Sequence, residues 1–227
     1  MDILILNSMK RLKLFEQQKE AVEFIKEFQK SDNVTILSGI AGTGKTTIIR
    51  EVFMRKKAKS KEFYIPKSVI GITVTHQARL NLMKSIPNST TYASAVNLVM
   101  EFDAHGEMYF VPKYGKSYFS ELLAYDHIVV DECSQFSQEM IDLLLSSVNN
   151  KAKIYFLGDY HQLPPIQDKK QTDPYIDSPT FNYLNYKLTQ KVRQKDGEYI
   201  ADLCDTICKQ IDDTTIVTGK QIGRAHV

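Results

Sequence analysis

Apolar positions along this chain follow two rhythms that take turns. From Glu16 to Gln29 they recur at helical spacing, with Ala21, Val22, Ile25 and Phe28 on one face, which predicts an amphipathic helix. The short apolar run Val34-Thr-Ile-Leu-Ser38 reads as a buried strand, and Thr47, Ile48, Ile49, Val52 and Phe53 return to the helical period. Val69 to Val74 predicts a second strand, and His76 to Ser85 its helix. Ile128 to Asp131 predicts a third strand, followed by a helical stripe of Met140, Ile141, Leu144, Leu145 and Val148. Lys153 to Gly158 predicts a fourth. Strands alternating with helices imply an α/β fold, a parallel sheet with helices on both faces.

Other stretches depart from this rhythm. Between about 96 and 125 the alternation is lost, and Phe102 to Phe110 reads as a hairpin turning at Asp103 to Gly106, a small insertion projecting from the sheet. The basic run Arg55 to Lys61 reads as a solvated loop. Residues 214–227 are polar and without period, an unstructured tail. Its last six, Ile222-Gly-Arg-Ala-His-Val227, resemble one reading frame of a sequencing-adapter oligonucleotide, so they are expected to be foreign to a natural protein; an ordinary terminus is the alternative.

Chemistry enters at the junction between the first strand and its helix. Gly39-Ile-Ala-Gly-Thr-Gly-Lys45-Thr46 is a complete phosphate-cradling loop, with Gly39, Ala41, Gly42, Thr43, Gly44, Lys45, Thr46 and Thr47 as the candidate nucleotide contacts. A buried strand turning on glycines into a helix start aims backbone N–H groups and a helix dipole at one polyphosphate. Lys45 can reach the β- and γ-phosphates, and the Thr46 hydroxyl can ligate Mg²⁺. Asp131-Glu132 closes an apolar strand, where Asp131 would hold the metal and Glu132 would orient and deprotonate an attacking water. Gly158-Asp-Tyr-His-Gln162-Leu-Pro-Pro165 makes a stiff loop suited to placing Gln162 at the γ-phosphate. Arg193, in Leu188-Thr-Gln-Lys-Val-Arg-Gln194, offers a charge-fixed fork for phosphate oxygens.

Composition changes the picture little. A net charge of +2 over 227 residues requires any nucleic-acid surface to be local. No apolar run approaches the length of a membrane span, and Met1 to Leu6 lacks the flanks of a signal peptide. Three cysteines make no disulfide framework, and Cys204 and Cys208 read as a half-buried helical pair rather than a metal site. The expected compartment is a reducing cytoplasm.

Six elements then occur in one order: Gln18 within Leu14 to Ala21, the loop Gly39 to Thr46, Thr75-His76, Asp131-Glu132, Gly158 to Gln162, and Leu188 to Gln194. This order resembles the Q motif and motifs I, Ia, II, III and IV of superfamily 1B DNA helicases, in the Dda-like and RecD/Pif-like group. The resemblance covers roughly residues 12–210. It implies a RecA-like P-loop motor domain over 1–213, ATP with Mg²⁺ as cofactors, and 5′-to-3′ movement on single-stranded DNA. It implies that Gln18 reads the adenine and Arg193 the γ-phosphate, that Thr75 and His76 lie on the DNA track, and that the hairpin is a strand-separating pin. The Dda likeness suggests a phage, hence an infected or bacterial cytoplasm; replication or recombination proteins are the expected partners beside single-stranded DNA, and the pathway (replication, recombination or repair) stays open. A monomer without membrane association is expected.

Residue chemistry supports a DNA track in part. Thr73, Thr75, His76, Thr91, Tyr92 and Ser94 follow sheet strands on one side, and Phe102, Tyr109 and Phe110 can present a wedge. Aromatics alternating along a hairpin can equally pack on the parent domain. One departure from the family pattern is Ala93, which stands where a histidine usually follows the threonine. Another is that nothing after Ile211 supplies a second RecA-like domain, so the chain is expected to be the first motor half of a helicase, able to bind nucleotide but poor in turnover. Two other classes stay open: a PhoH-like or other P-loop ATPase, and a nucleotide-gated binding module without enzymatic activity.

Overall fold

The computed structural model describes residues 11–58, 62–102, 108–113, 120–165, 178–192 and 206. Its strands are β1 (Val34–Gly39), β2 (Arg55–Lys56), β3 (Phe63–Tyr64), β4 (Val69–Thr73), β5 (Ser89–Thr91), β6 (Leu98–Phe102), β7 (Met108–Pro112), β8 (His127–Val130), β9 (Lys153–Gly158) and β10 (Leu184–Leu188). The helices are α1 (Glu16–Ser31), α2 (Lys45–Phe53), α3 (His76–Leu82), the single turn α4 (Tyr92–Ala95) and α5 (Gln138–Ser147).

Six strands form one sheet in the order β10-β1-β9-β8-β4-β5, and every neighbouring pair is parallel. Parallel strands buried on both sides need apolar residues at consecutive positions, and these strands supply them. Leu37, Val69, Val129, Tyr155 and Leu157 point to one face, against Ala21, Val22, Ile25 and Phe28 of α1 and Ile48, Ile49, Val52 and Phe53 of α2. Ile36, Ile70, Ile72, Ile128, Val130, Ile154 and Phe156 point to the other, against Tyr92, Phe136, Ile141 and Leu144. Each such side chain stabilises the fold by roughly 1.5–3 kcal/mol through burial. The expected fold class is therefore observed, helices on both faces included.

Two sheet strands escape the hydrophobic pattern. The edge strand β5 is the polar tripeptide Ser-Thr-Thr, too short to show a period. At the opposite edge, β10 alternates Leu184, Tyr186 and Leu188, a period-two signal masked by the motif that follows it. The first two residues of the basic run are strand rather than the expected loop. Arg55 and Lys56 pair antiparallel with Phe63 and Tyr64, and the Arg55 guanidinium donates to Val52 O (2.8 Å) at the end of α2. That geometry suits a cation at a helix C-terminus. Among the described residues, no helix is long and apolar enough to cross a membrane.

The inserted hairpin is present as β6 paired with β7, in register from Leu98↔Pro112 to Phe102↔Met108. The turn expected at Asp103 to Gly106 lies outside the described residues, as do Cys204, Cys208 and the tail. At the base of the hairpin Asn97 takes a left-handed backbone (φ 55°), and its carbonyl accepts from Lys113 N–H (2.8 Å).

Candidate nucleotide site

Parallel pairing aligns the C-terminal ends of the strands, so the loops that leave them share one edge. Ser38 lies beside Gly158, and Thr73 beside Thr91. The phosphate loop after β1, Asp131-Glu132 after β8 and Asp159 to Gln162 after β9 are thereby gathered, although 85 residues separate Thr46 from Asp131.

The loop is built by backbone conformation. Gly42 and Gly44 have positive φ (86° and 85°), and Gly44 is the cap from which α2 starts at Lys45. N–H groups in the first turn of a helix lack intrahelical partners, so the start of α2 is an anion-binding surface. Thr43 is buried and steadies the turn, its hydroxyl donating to Ile40 O (2.9 Å). Ala41 is exposed, and Gly42, Gly44, Lys45, Thr46 and Thr47 line a cavity of about 240 Å³ with Leu12, Lys13, Gln18 and Val192.

Lys45 Nζ donates to Gly39 O (2.5 Å) and Ile40 O (3.2 Å). Burial pushes its pKa down, opposed by the nearby carboxylates of Asp159 and Asp131. The Thr46 hydroxyl faces Asp131 Oδ2 at 3.4 Å, and Asp131 Oδ1 accepts from the Glu132 N–H (3.0 Å). Burial raises the Asp131 pKa despite that bond and despite Lys45. Burial first, and Asp131 second, raise that of Glu132. A desolvated carboxylate facing a hydroxyl is a donor set that welcomes a hard cation. No group of three or more His, Cys, Asp or Glu gathers among the described residues. Glu132 itself sits in a left-handed backbone (φ 57°), an uncommon conformation for a residue other than glycine.

Asp159, to which the sequence alone assigns no role beside Gln162, is 4% exposed. Its Oδ1 accepts from the His161 N–H (3.0 Å) and faces His161 Nδ1 (3.2 Å). The available signal was a Gly-Asp pair closing a buried strand. Gln162 is exposed, and its Oε1 lies 3.5 Å from the Ser134 hydroxyl. Arg193 lies outside the described residues; the chain just before it touches the loop, with Val192 N–H donating to Gly42 O (3.0 Å).

Gln18 is buried, and its amide is occupied by the protein itself. Its Oε1 accepts from Phe15 N–H (3.1 Å), the reciprocal half of a capping box, and its Nε2 donates to Thr43 O (3.2 Å). An adenine contact would fall to the remaining amide hydrogen or lone pair. A β-carbon on Gly44 would collide with the same amide nitrogen. Gly44→Ala therefore combines a left-handed alanine with displacement of Gln18, at a cost of about 2 kcal/mol. We expect a Tm fall of about 4–8 °C, measured by calorimetry.

Candidate DNA residues divide into two sets. Thr75, His76 and Ser94 are exposed at the ends of β4 and β5, and Phe102 is 65% exposed at the end of β6. The Thr75 hydroxyl also caps α3, accepting from Ala78 N–H (3.1 Å). Thr91 does not fit a phosphate contact. It is 6% exposed, caps α4 and donates to Ser94 Oγ (2.9 Å). Nor does Tyr92 offer a stacking face, since it packs edge-on against Phe136 and its hydroxyl donates to Met140 O (3.1 Å). Phe110 pairs through its backbone with Met100, and its side chain lies outside the description.

An edge assembled in this way defines the P-loop nucleotide-binding class, in the RecA-like form that serves superfamily 1 helicases as a motor domain. Residues 13–225 match the family AAA_30, described as an AAA domain, and the chain belongs to that family. It is 27% identical over 198 residues to the RecBCD enzyme subunit RecD of Buchnera aphidicola, covering 75% of this chain and 31% of RecD. It is 26% identical over 200 residues to the ATP-dependent DNA helicase PIF1 of Trypanosoma brucei, covering 80% and 19%. The Bacteroides Pif1 helicase, solved with ADP-AlF3 and single-stranded DNA, shares the fold at a TM-score of 0.60 and 20% identity, covering 94% of this chain and 49% of that one. The chain spans between 13% and 39% of the length of these curated relatives.

Proposed function

We propose that this chain is the ATP-binding first motor domain of an ATP-dependent DNA helicase that moves 5′ to 3′ along single-stranded DNA. The observation that carries the proposal is the single sheet edge holding the phosphate loop, Asp131-Glu132, Asp159 and Gln162. Exposed Thr75, His76 and Ser94 leave the same edge, and the hairpin springs from α4 just beyond it. RecD and PIF1 relatives, and a Pif1 fold solved with single-stranded DNA, support DNA as the partner.

Lys45 and the N–H groups opening α2 bind the phosphates, and Gln162 and Arg193 orient the γ-phosphate. Glu132 orients a water and takes its proton. Thr46 and Asp131 would hold Mg²⁺, which would supply charge neutralisation to the phosphates. Residues 1–213 form the motor domain, with 96–125 as an insertion whose exposed Phe102 acts as part of a pin. An extended protein carrying a second RecA-like domain is the setting for full turnover.

The test is anisotropy of a labelled oligothymidine with this chain, followed by ATPase assays of an extended protein. We expect binding whose affinity falls with salt at a log–log slope of about −3, for four or five phosphates. ATP hydrolysis should rise with single-stranded DNA. Stimulation by RNA alone would favour a PhoH-like ATPase, and DNA binding without hydrolysis a gated binding module.

A further inference from the structure

The residue beside Gln18 makes contacts that the nucleotide reading leaves without a role. Gln17 Oε1 accepts from both Thr189 N–H (3.0 Å) and Gln190 N–H (2.8 Å), and its Nε2 donates to the Thr189 hydroxyl (3.0 Å). One side chain thus fixes two consecutive backbone amides of the segment that leaves β10. Two residues further on, Val192 lines the nucleotide cavity and its N–H bonds Gly42 O (3.0 Å) in the phosphate loop. Gln18, next in sequence, holds the loop from the other side through Thr43 O. The first turn of α1 therefore grips both walls of the cavity with adjacent glutamines. A second tie keeps the turn in place: the Tyr186 hydroxyl on β10 donates to Glu20 Oε2 (2.9 Å), while its ring packs on Phe24.

The geometry points to Gln17 as a positioning residue of the nucleotide site. By anchoring 189–190 it sets where Val192 stands against the ligand and preserves the Val192–Gly42 bond that closes the phosphate loop. Simple helix stabilisation does not account for the pattern, because all three bonds leave the helix for a segment more than 170 positions away. The inference rests on the reading of this cavity as the nucleotide site, but the Val192–Gly42 bond can be measured without any nucleotide.

Hydrogen exchange and ATP titration on the same chain test it. In Gln17→Ala, exchange at the Val192 amide should speed at least tenfold in the nucleotide-free protein, and the ATP dissociation constant should rise about five- to tenfold, as expected from losing two or three hydrogen bonds. Gln17→Glu should restore both to within about twofold, because a carboxylate accepts from both amides and from the Thr189 hydroxyl. Gln29→Ala, which removes a bond to Tyr155 at the far end of α1, should change neither. The inference is overturned if Val192 exchange in Gln17→Ala stays within twofold of wild type. It is equally overturned if Gln29→Ala matches Gln17→Ala, or if Gln17→Glu fails to rescue exchange. A wild-type chain that does not bind ATP would remove the proposed function, while Val192 exchange would still decide the role of Gln17.

Discussion

Replacing Lys45 with alanine is expected to raise the dissociation constant for ATP by about thirtyfold to a few thousandfold with little change in Tm. The size follows from what Lys45 does in the fold. Its ammonium is half-buried, held by Gly39 O and Ile40 O, and faces the carboxylates of Asp131 and Asp159. Removing one member of a desolvated, hydrogen-bonded charge pair costs about 2–5 kcal/mol. At 1.4 kcal/mol per tenfold, that is between about thirtyfold and a few thousandfold. The loss should be larger than for an isolated lysine, because the carboxylates of Asp131 and Asp159 would then confront the incoming phosphates without an intervening cation. Stability should move less. Burial lowers the Lys45 pKa, so the charge is already costly to keep, and its removal relieves part of that cost. Calorimetric titration with ATP and ADP is the measurement. Affinities within threefold of wild type for both would remove Lys45 from the phosphate site.

Much of this site was legible in the sequence, for a physical reason. Phosphate loops depend on short-range backbone geometry, so the spacing from Gly39 to Thr46 carries the structure with it. Strand-end carboxylates are also local: Val129 and Val130 must be buried, and Asp131 must then emerge at the edge. What the sequence obscured was of two kinds. Hydroxyl residues that cap helices look like hydroxyl residues that bind phosphate, and Thr91 is the example, its oxygen committed to the turn it starts. Contacts between distant segments leave no local trace. Gln17 is an ordinary polar residue in a helical pattern, and its partners at Thr189 and Gln190 become visible only once β10 is seated beside β1. β10 leaves no separate signal because its alternation runs into the motif at Leu188. Tyr92 illustrates a further limit, because an aromatic near a strand end serves a core or a stacking surface equally well until its neighbours are known.

Glu132 carries the second large expected effect. Glu132→Gln should leave nucleotide binding intact and lower hydrolysis about 10²–10⁴-fold, the usual contribution of a general base. Single-turnover assays of an extended protein with single-stranded DNA measure it. The backbone supplies an independent control. At φ 57° Glu132 occupies a conformation that costs a side-chain-bearing residue about 1 kcal/mol or more relative to glycine. If that strain is retained because it aims the carboxylate, Glu132→Gly should be no less stable than Glu132→Ala, although glycine usually lowers stability elsewhere. Both should be as inactive as Glu132→Gln. The carboxylate also sits where burial and the neighbouring Asp131 raise its pKa, which suits a group that must accept a proton. A Glu132→Gln rate within tenfold of wild type would assign the proton to another group. A Glu132→Gly variant clearly less stable than Glu132→Ala would mean that the left-handed turn is held by contacts of the β-carbon rather than tolerated for the sake of the carboxylate.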